Sequence, residues 1–310
     1  MTSTFAATLR CMWRVVALLA SLMFGGCAFN QLAVDGIGDA VARNGGAFAS
    51  DDDPELIRAA APFSLKFIES LLAENGTHKG LLLAGARGFT QYAYAFLQQD
   101  ADEVEERDVA AAMRLQERAR RLYSRARDYG ARGLGVDRPN FINQLRDDPQ
   151  RALAAVPASD VALLYWTGVS WSALIGLSKG NPDVLGELPI VEALMDRALA
   201  LDESFDHGAL HTFMISYESV RQGGAGDAAA RARRHFARAM ALSGGADAAP
   251  LLALAEAVCV PQQRRAEFEA LLRQALRIDT SRATENRLAN VMAQHRARWL
   301  LSRTENLFTN

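Results

Sequence analysis

His207 and His211 stand four residues apart, the spacing that puts two imidazoles on one helical face and could hold a zinc ion. A zinc hydrolase built on them is the enzymatic alternative, but it needs a third ligand, and no Glu stands in a His-Glu-x-x-His arrangement. Glu203, Asp206 and Gly208 around the pair read as a helix start, and His78, His235 and His295 add no cluster. Asp51-Asp52-Asp53 has the carboxylates of a calcium loop without the spaced ligands or closing Glu of an EF-hand, so it reads as a cap. Glu103, Glu105, Glu106 and Asp108 read as a solvated turn feeding the next helix, with a docking surface for a soluble partner as the alternative. Gly-x-Ser-x-Gly, Walker and dinucleotide motifs are missing, and Gly223-Gly224-Ala225-Gly226 joins two helices. The expectation is a non-enzymatic protein with no catalytic residue, metal or cofactor.

Cys27 carries the one covalent chemistry that its surroundings support. Residues 1–26 hold Arg10 and Arg14, no acidic residue, an apolar run from Val15 to Phe24, and then Gly25-Gly26. The run is about half of the ~20 residues that span a bilayer. This resembles a bacterial lipoprotein signal, in which the Cys is acylated and becomes the first mature residue. Phe24 stands where that motif prefers Leu. Ordinary cleavage near Gly26, leaving Cys27 as a free thiol, is the alternative. The expected organisation is a signal peptide over 1–26, a lipidated segment over 27–50, a helical domain over 51–304 and a tail over 305–310. Ala28 after the Cys resembles lipoproteins sorted to the outer membrane.

The whole chain has 310 residues, half of them hydrophobic, with 34 basic against 36 acidic. Without residues 1–26 the balance becomes 32 against 36, a formal charge of −4. That excludes a disordered protein and gives nucleic acid no basic surface. Three Cys cannot staple a disulfide scaffold, and only Cys259 is left free beyond Cys27.

Stepping from residues to elements, apolar positions recur at helical spacing almost throughout. Asp53-Pro54-Glu55 opens a helix that runs to Asn75-Gly76. Further helices are expected near 79–100, 107–130, 160–178, 188–201, 206–221, 227–242, 248–259, 262–277 and 282–303, with Gly130, Gly133 and Gly135 among the breaks. Val161 to Leu177 carries no charge; a buried central helix is favoured over a transmembrane span. The fold class is all-α.

One pattern recurs late in four helices: Tyr123/Ala126, Met195/Ala198, Phe236/Ala239 and Leu272/Ala275, preceded at seven residues from the Ala by Ala119, Val191, Ala232 and Phe268. Small residues let helices stack closely while the large one fills the gap between pairs. The pattern resembles the second helix of a tetratricopeptide repeat and implies an irregular tetratricopeptide-like solenoid with insertions.

A denser resemblance lies in Phe48-Ala49-Ser50-Asp51-Asp52-Asp53-Pro54-Glu55-Leu56, Pro62-Phe63-Ser64-Leu65-Lys66, Glu69-Ser70-Leu71-Leu72 and Gly88-Phe89-Thr90-Gln91-Tyr92-Ala93-Tyr94-Ala95-Phe96. Arg118-Ala119, Leu122-Tyr123 and Arg125-Ala126 continue it. These segments resemble the TatT family, tetratricopeptide-containing lipoproteins of tripartite ATP-independent periplasmic (TRAP) transporters. The resemblance implies a helical periplasmic lipoprotein, anchored to a membrane by lipid at Cys27. It also implies a homo-oligomer that binds the TRAP periplasmic solute-binding protein and helps to handle a hydrophobic or amphipathic solute. A scaffold lipoprotein of envelope assembly, with no small ligand, is the alternative. Phe89, Tyr92, Phe96, Tyr123, Trp166 and Trp171 are the residues expected to line an apolar cavity, against the simpler reading that such rings fill the core.

Overall fold

Asp53 caps its helix as the sequence requires: its carboxylate accepts from the N–H groups of Glu55 at 3.0 Å and Leu56 at 3.1 Å. Helix α3 then runs Pro54–Glu74. The protein is seen here as a computed structural model that describes residues 36–41, 45–178, 180–221, 224–282 and 284–309. The expected signal peptide and Cys27 lie outside the described residues. Two short helices, α1 over 36–41 and α2 (Gly45–Ala49), precede α3.

From α4 onward the helices come in consecutive pairs. Helix α4 (Lys79–Ala93), continued by a π-turn over Tyr94–Gln98 and by α5 (Gln99–Val104), packs on α6 (Val109–Gly135). Helix α9 (Val161–Gly176) packs on α11 (Leu188–Leu201), and α12 (Phe205–Tyr217) on α13 (Ala228–Leu242). Helix α14 (Ala249–Leu254), extended by a second π-turn over Ala255–Cys259, packs on α15 (Arg265–Leu276). Short helices α7 (Phe141–Asp147), α8 (Pro149–Leu153) and α10 (Pro182–Leu185) fill the connections. Helix α16 (Arg287–Ser302) and the turn α17 (Thr304–Leu307) end the chain, and Phe308 packs edge-on against Phe268 with ring centroids 5.0 Å apart. No strand occurs among the described residues; the fold is all-α.

The recurring Ala pattern marks the seams. Ala126, Ala198, Ala239 and Ala275 are all fully buried, one in the second helix of each pair. Their preceding partners Ala119, Val191, Ala232 and Phe268 are buried with them. Each stacked pair thus buries its small residues where the backbones approach most closely.

Gly130 and Gly133 do not end a helix as expected. Helix α6 continues through both to Gly135, because α9 lies too close for a side chain there. A Cβ on Gly130 would stand 2.2 Å from Thr167 Oγ1. On the far side of α9 a Cβ on Gly168 would stand 2.7 Å from Met195 Cε. Wedged between α6 and α11, α9 needs an apolar surface all round. No helix among the described residues is long and apolar enough to cross a membrane.

The last long helix returns to the first ones. Helix α16 packs on α2 and α3, so the stack closes on itself. Leu288 and Met292 of α16 join the N-terminal core around Ile57, Phe89, Phe96 and Tyr123.

Candidate functional site

Closure is held by ion pairs between the α5 region and the C-terminal helix. Arg296 lies 2.8 Å from Asp102 and 2.8 Å from Glu256. His295 approaches Glu103 at 3.4 Å, Arg303 pairs with Glu106, and Asn306 donates to Glu106 at 3.2 Å. The acidic segment expected as a solvated turn is therefore largely engaged within the chain. Asp108 caps α6 through the Ala111 N–H at 2.8 Å, which does feed the next helix as expected.

The two π-turns carry Tyr94 and Glu256, both of which interact electrostatically with Arg296, and such turns are frequent at functional sites. Tyr94 is 47 % exposed, yet burial is the main cause that raises its phenol pKa. Burial likewise raises the Glu256 carboxyl pKa. Burial opposes the charged form of Arg296, but Glu256 and Asp102 outweigh it and the pKa is raised.

Further along the same face of α4, Leu83, Arg87, Gln91 and Tyr94 recur at spacings of four, four and three. Arg87 is half-buried, and burial lowers its pKa against the pull of Asp206. Burial and the same Asp206 raise the phenol pKa of Tyr165, which is half-buried on α9 and meets Trp166 edge-on at 5.0 Å. Asp206 sits on a left-handed turn of three successive residues, with φ of 45°, 55° and 92° at Asp206, His207 and Gly208. Such backbone costs free energy and gathers at functional positions. Gly208 permits the turn to lie against α13, where a Cβ would meet Leu242 Cβ at 3.1 Å. Arg87, Tyr94, Tyr165, Asp206 and Glu256 all belong to the first helix of a pair or to its π-extension. They fall into two groups, Tyr94 and Glu256 about Arg296, and Arg87 and Tyr165 about Asp206.

Of the six aromatics expected to line a cavity, five are buried. Phe89, Tyr92, Phe96 and Tyr123 meet in the N-terminal core, and the Tyr123 hydroxyl is 2.7 Å from Gln98 Oε1. Trp171 lies in the central core and donates from Nε1 to Glu187 at 2.7 Å, with Arg127 over its ring. Only Trp166 is partly open. Sequence reasoning missed Tyr94 and Arg87; the periodic stripe along α4 and its π-turn was the signal available for both.

The histidines also pair differently from their spacing. His207 precedes the regular part of α12 on the left-handed turn, so it does not share a face with His211. Instead His211 Nδ1 lies 2.8 Å from His235 Nδ1 of α13. Glu203 lies 3.3 Å from His211 Nε2, and the buried Glu218 lies 3.6 Å from His235 Nε2. Burial is the main cause that lowers both imidazole pKa values. Among the described residues no three His, Cys, Asp or Glu gather as a metal site.

On the outside, Leu56, Phe63 and Phe67 form an exposed apolar stripe on α3, Phe63 being 77 % exposed and stacked on Phe67 at 6.4 Å. The described residues thus form stacked helix pairs with an apolar stripe on the outer side of α3. The sequence profile of the TRAP transporter T-component family matches residues 50–308, and the chain belongs to that family. A protein of Treponema pallidum (strain Nichols), described as an uncharacterized protein, is 29 % identical over 265 residues, covering 84 % of this chain and 82 % of its own.

Proposed function

We propose that the protein is a lipid-anchored accessory subunit that binds the periplasmic solute-binding subunit of a TRAP transporter and holds a hydrophobic or amphipathic solute between its helix pairs. The family match over 50–308 carries the transport reading. Supporting the solute half are Tyr94 and Tyr165, rings both accessible and crowded on the first helices of their pairs. Trp166 meets Tyr165 edge-on, whereas Phe89, Tyr92, Phe96, Tyr123 and Trp171 stand in the core. No covalent chemistry is asked of these residues.

Acylation at Cys27 places the scaffold on the periplasmic face of a membrane, the outer one by the residue that follows. Self-association through the α3 stripe covers Leu56, Phe63 and Phe67, the kind of apolar surface that marks a protein contact. The experiment is affinity capture from membrane and periplasmic fractions of cells that make the tagged full chain. A TRAP solute-binding subunit co-purifies, and the captured protein carries acyl chains that the Cys27→Ser variant lacks. Capture of envelope-assembly proteins with no transport subunit would replace this function with a scaffold role.

A further inference from the structure

Arginines gather on the outer face of one helix. Arg114, Arg118, Arg121, Arg125 and Arg132 of α6 recur at spacings of four, three, four and seven, which sets them in one row along it. All five are exposed, and the helical rise makes the row about 27 Å long. Arg114 and Arg118 make no hydrogen bond or ion pair among the described residues. The carboxylates beside the row are already engaged. Glu117 meets Arg120 at 2.7 Å and Arg121 at 3.4 Å, Asp128 meets Arg127 at 2.8 Å, and Glu69 of α3 meets Lys66 and, at 3.2 Å, Arg125. From Cys27 onward the chain carries −4 overall, so the row reverses the sign of the molecule locally. Arg121, Arg125 and Arg132 line, with Ser124, Asp128 and Tyr129, an open depression of about 380 Å³.

The chain enters the described fold beside one end of this row. Arg132 donates to the Gly76 carbonyl at 2.9 Å, and two residues on, His78 caps α4 by accepting from the Leu81 N–H at 3.2 Å. Helix α1 lies against that histidine: Asp39 is 3.4 Å from its Nε2, and a Cβ on Gly38 would stand 3.0 Å from the same atom. Val41 of α1 and Tyr129 of α6 pack on one cluster that holds Leu72, Leu81 and Leu82. Gly36 stands nine residues after Cys27, a span of at most about 30 Å. An anchor at Cys27 keeps a bilayer surface within reach of the row.

We propose that α6 lies on a membrane of anionic phospholipid, with its arginine row seated on the head-group phosphates. A guanidinium pairs two N–H groups with two phosphate oxygens, and a plane of head groups offers an anion wherever a side chain of the row reaches it. Basic segments next to a membrane anchor are drawn to anionic lipid in the same way. The contact fixes which side of the tethered scaffold faces the bilayer and leaves the surfaces away from α6 to a soluble partner. The proposal rests on the reading that Cys27 is acylated, which brings the bilayer near.

The test uses the acyl-free chain of residues 28–310, which keeps every described residue and so every contact of the fold described above. It is sedimented with vesicles of phosphatidylcholine alone, or of two parts phosphatidylcholine to one part phosphatidylglycerol. The chain binds the mixed vesicles and not the neutral ones at about 50 mM salt, and about 500 mM salt releases it. Arg114→Gln, Arg118→Gln and Arg121→Gln together lower the partition by about a hundredfold, at about fivefold for each arginine near an anionic surface. Arg146→Gln, Arg234→Gln and Arg277→Gln together, exposed on other elements and equal in charge change, lower it by about fivefold at most. Melting temperatures check that both variants fold. No binding by the unaltered chain, equal binding to both kinds of vesicle, or an equal loss in the two triple variants overturns the proposal. A row variant that still binds vesicles but no longer captures the solute-binding subunit makes the row a protein contact and overturns it too. Cys27 found without acyl chains would fail the anchoring reading, while row-dependent vesicle binding would still uphold the lipid contact.

Discussion

Arg296 Nη1 lies 2.8 Å from Asp102, joining the last long helix to α5 at the end of the first helix of the first pair. The same guanidinium reaches Glu256 at 2.8 Å, so one side chain ties three segments together. Removing it leaves two carboxylates without their cation in a crowded site. Arg296→Ala is expected to cost roughly 2–4 kcal/mol, somewhat below the loss for a fully buried pair. Urea unfolding measures that loss, and Arg296→Lys, which keeps the charge but not the fork, recovers only part of it.

Gly130 tests the packing of the central helix. Its absent side chain lets α6 approach Thr167, whose hydroxyl donates to the Leu163 carbonyl at 2.5 Å. Gly130→Ala drives a Cβ into that hydroxyl and destabilises by about 1–3 kcal/mol, the usual range for overpacking. Gly135→Ala, whose Cβ would meet Phe141 Cβ at 3.6 Å, is expected to be near neutral in the same thermal melts.

Acid weakens the α12–α13 seam through the facing imidazoles. Both histidines bind protons less readily in the folded chain than in the unfolded one, because of burial first. Arg238 near His211 and Arg221 and Arg234 near His235 act in the same direction, while Glu203 and Glu218 oppose it. The unfolded state therefore takes up more protons as pH falls through about 6.5, so stability is full above that pH and declines below it. Urea midpoints between pH 8 and pH 5 check this, and the joint His211→Gln, His235→Gln variant flattens the slope. Glu203, with a carboxyl pKa lowered chiefly by the Arg238 hydrogen bond, titrates in more acid solution.

Self-association is read most directly at Phe63. Phe63→Asp places a charge in the centre of the α3 stripe and is expected to shift the acyl-free chain to monomer in sedimentation equilibrium, with its helix content unchanged. Oligomers of unaltered mass in this variant would move the self-contact off α3.

Local features were legible because local physics sets them. Asp53 could be read as a cap from Pro54 and Glu55 beside it, and the buried Ala126, Ala198, Ala239 and Ala275 from their repeated spacing. The setting of Tyr94 was not legible, because it depends on Glu256 and Arg296 from the far end of the chain. Rings such as Tyr123 and Trp171 stand out by type, whereas Tyr94 and Arg87 take their settings from residues distant in sequence, Glu256 and Asp206. His235 escaped for a similar reason: its partner His211 lies 24 residues away, across two packed helices. Gly130 misled because glycine marks close approach as well as helix ends, and sequence alone does not separate the two uses.

Binding between the purified acyl-free chain and the purified TRAP solute-binding subunit tests the central claim most directly. Titration calorimetry at physiological salt should give a saturable complex with a Kd in the micromolar range or tighter, about −8 kcal/mol or more favourable. No heat and no comigration in sedimentation, with both proteins folded and up to about 1 mM, would contradict the account.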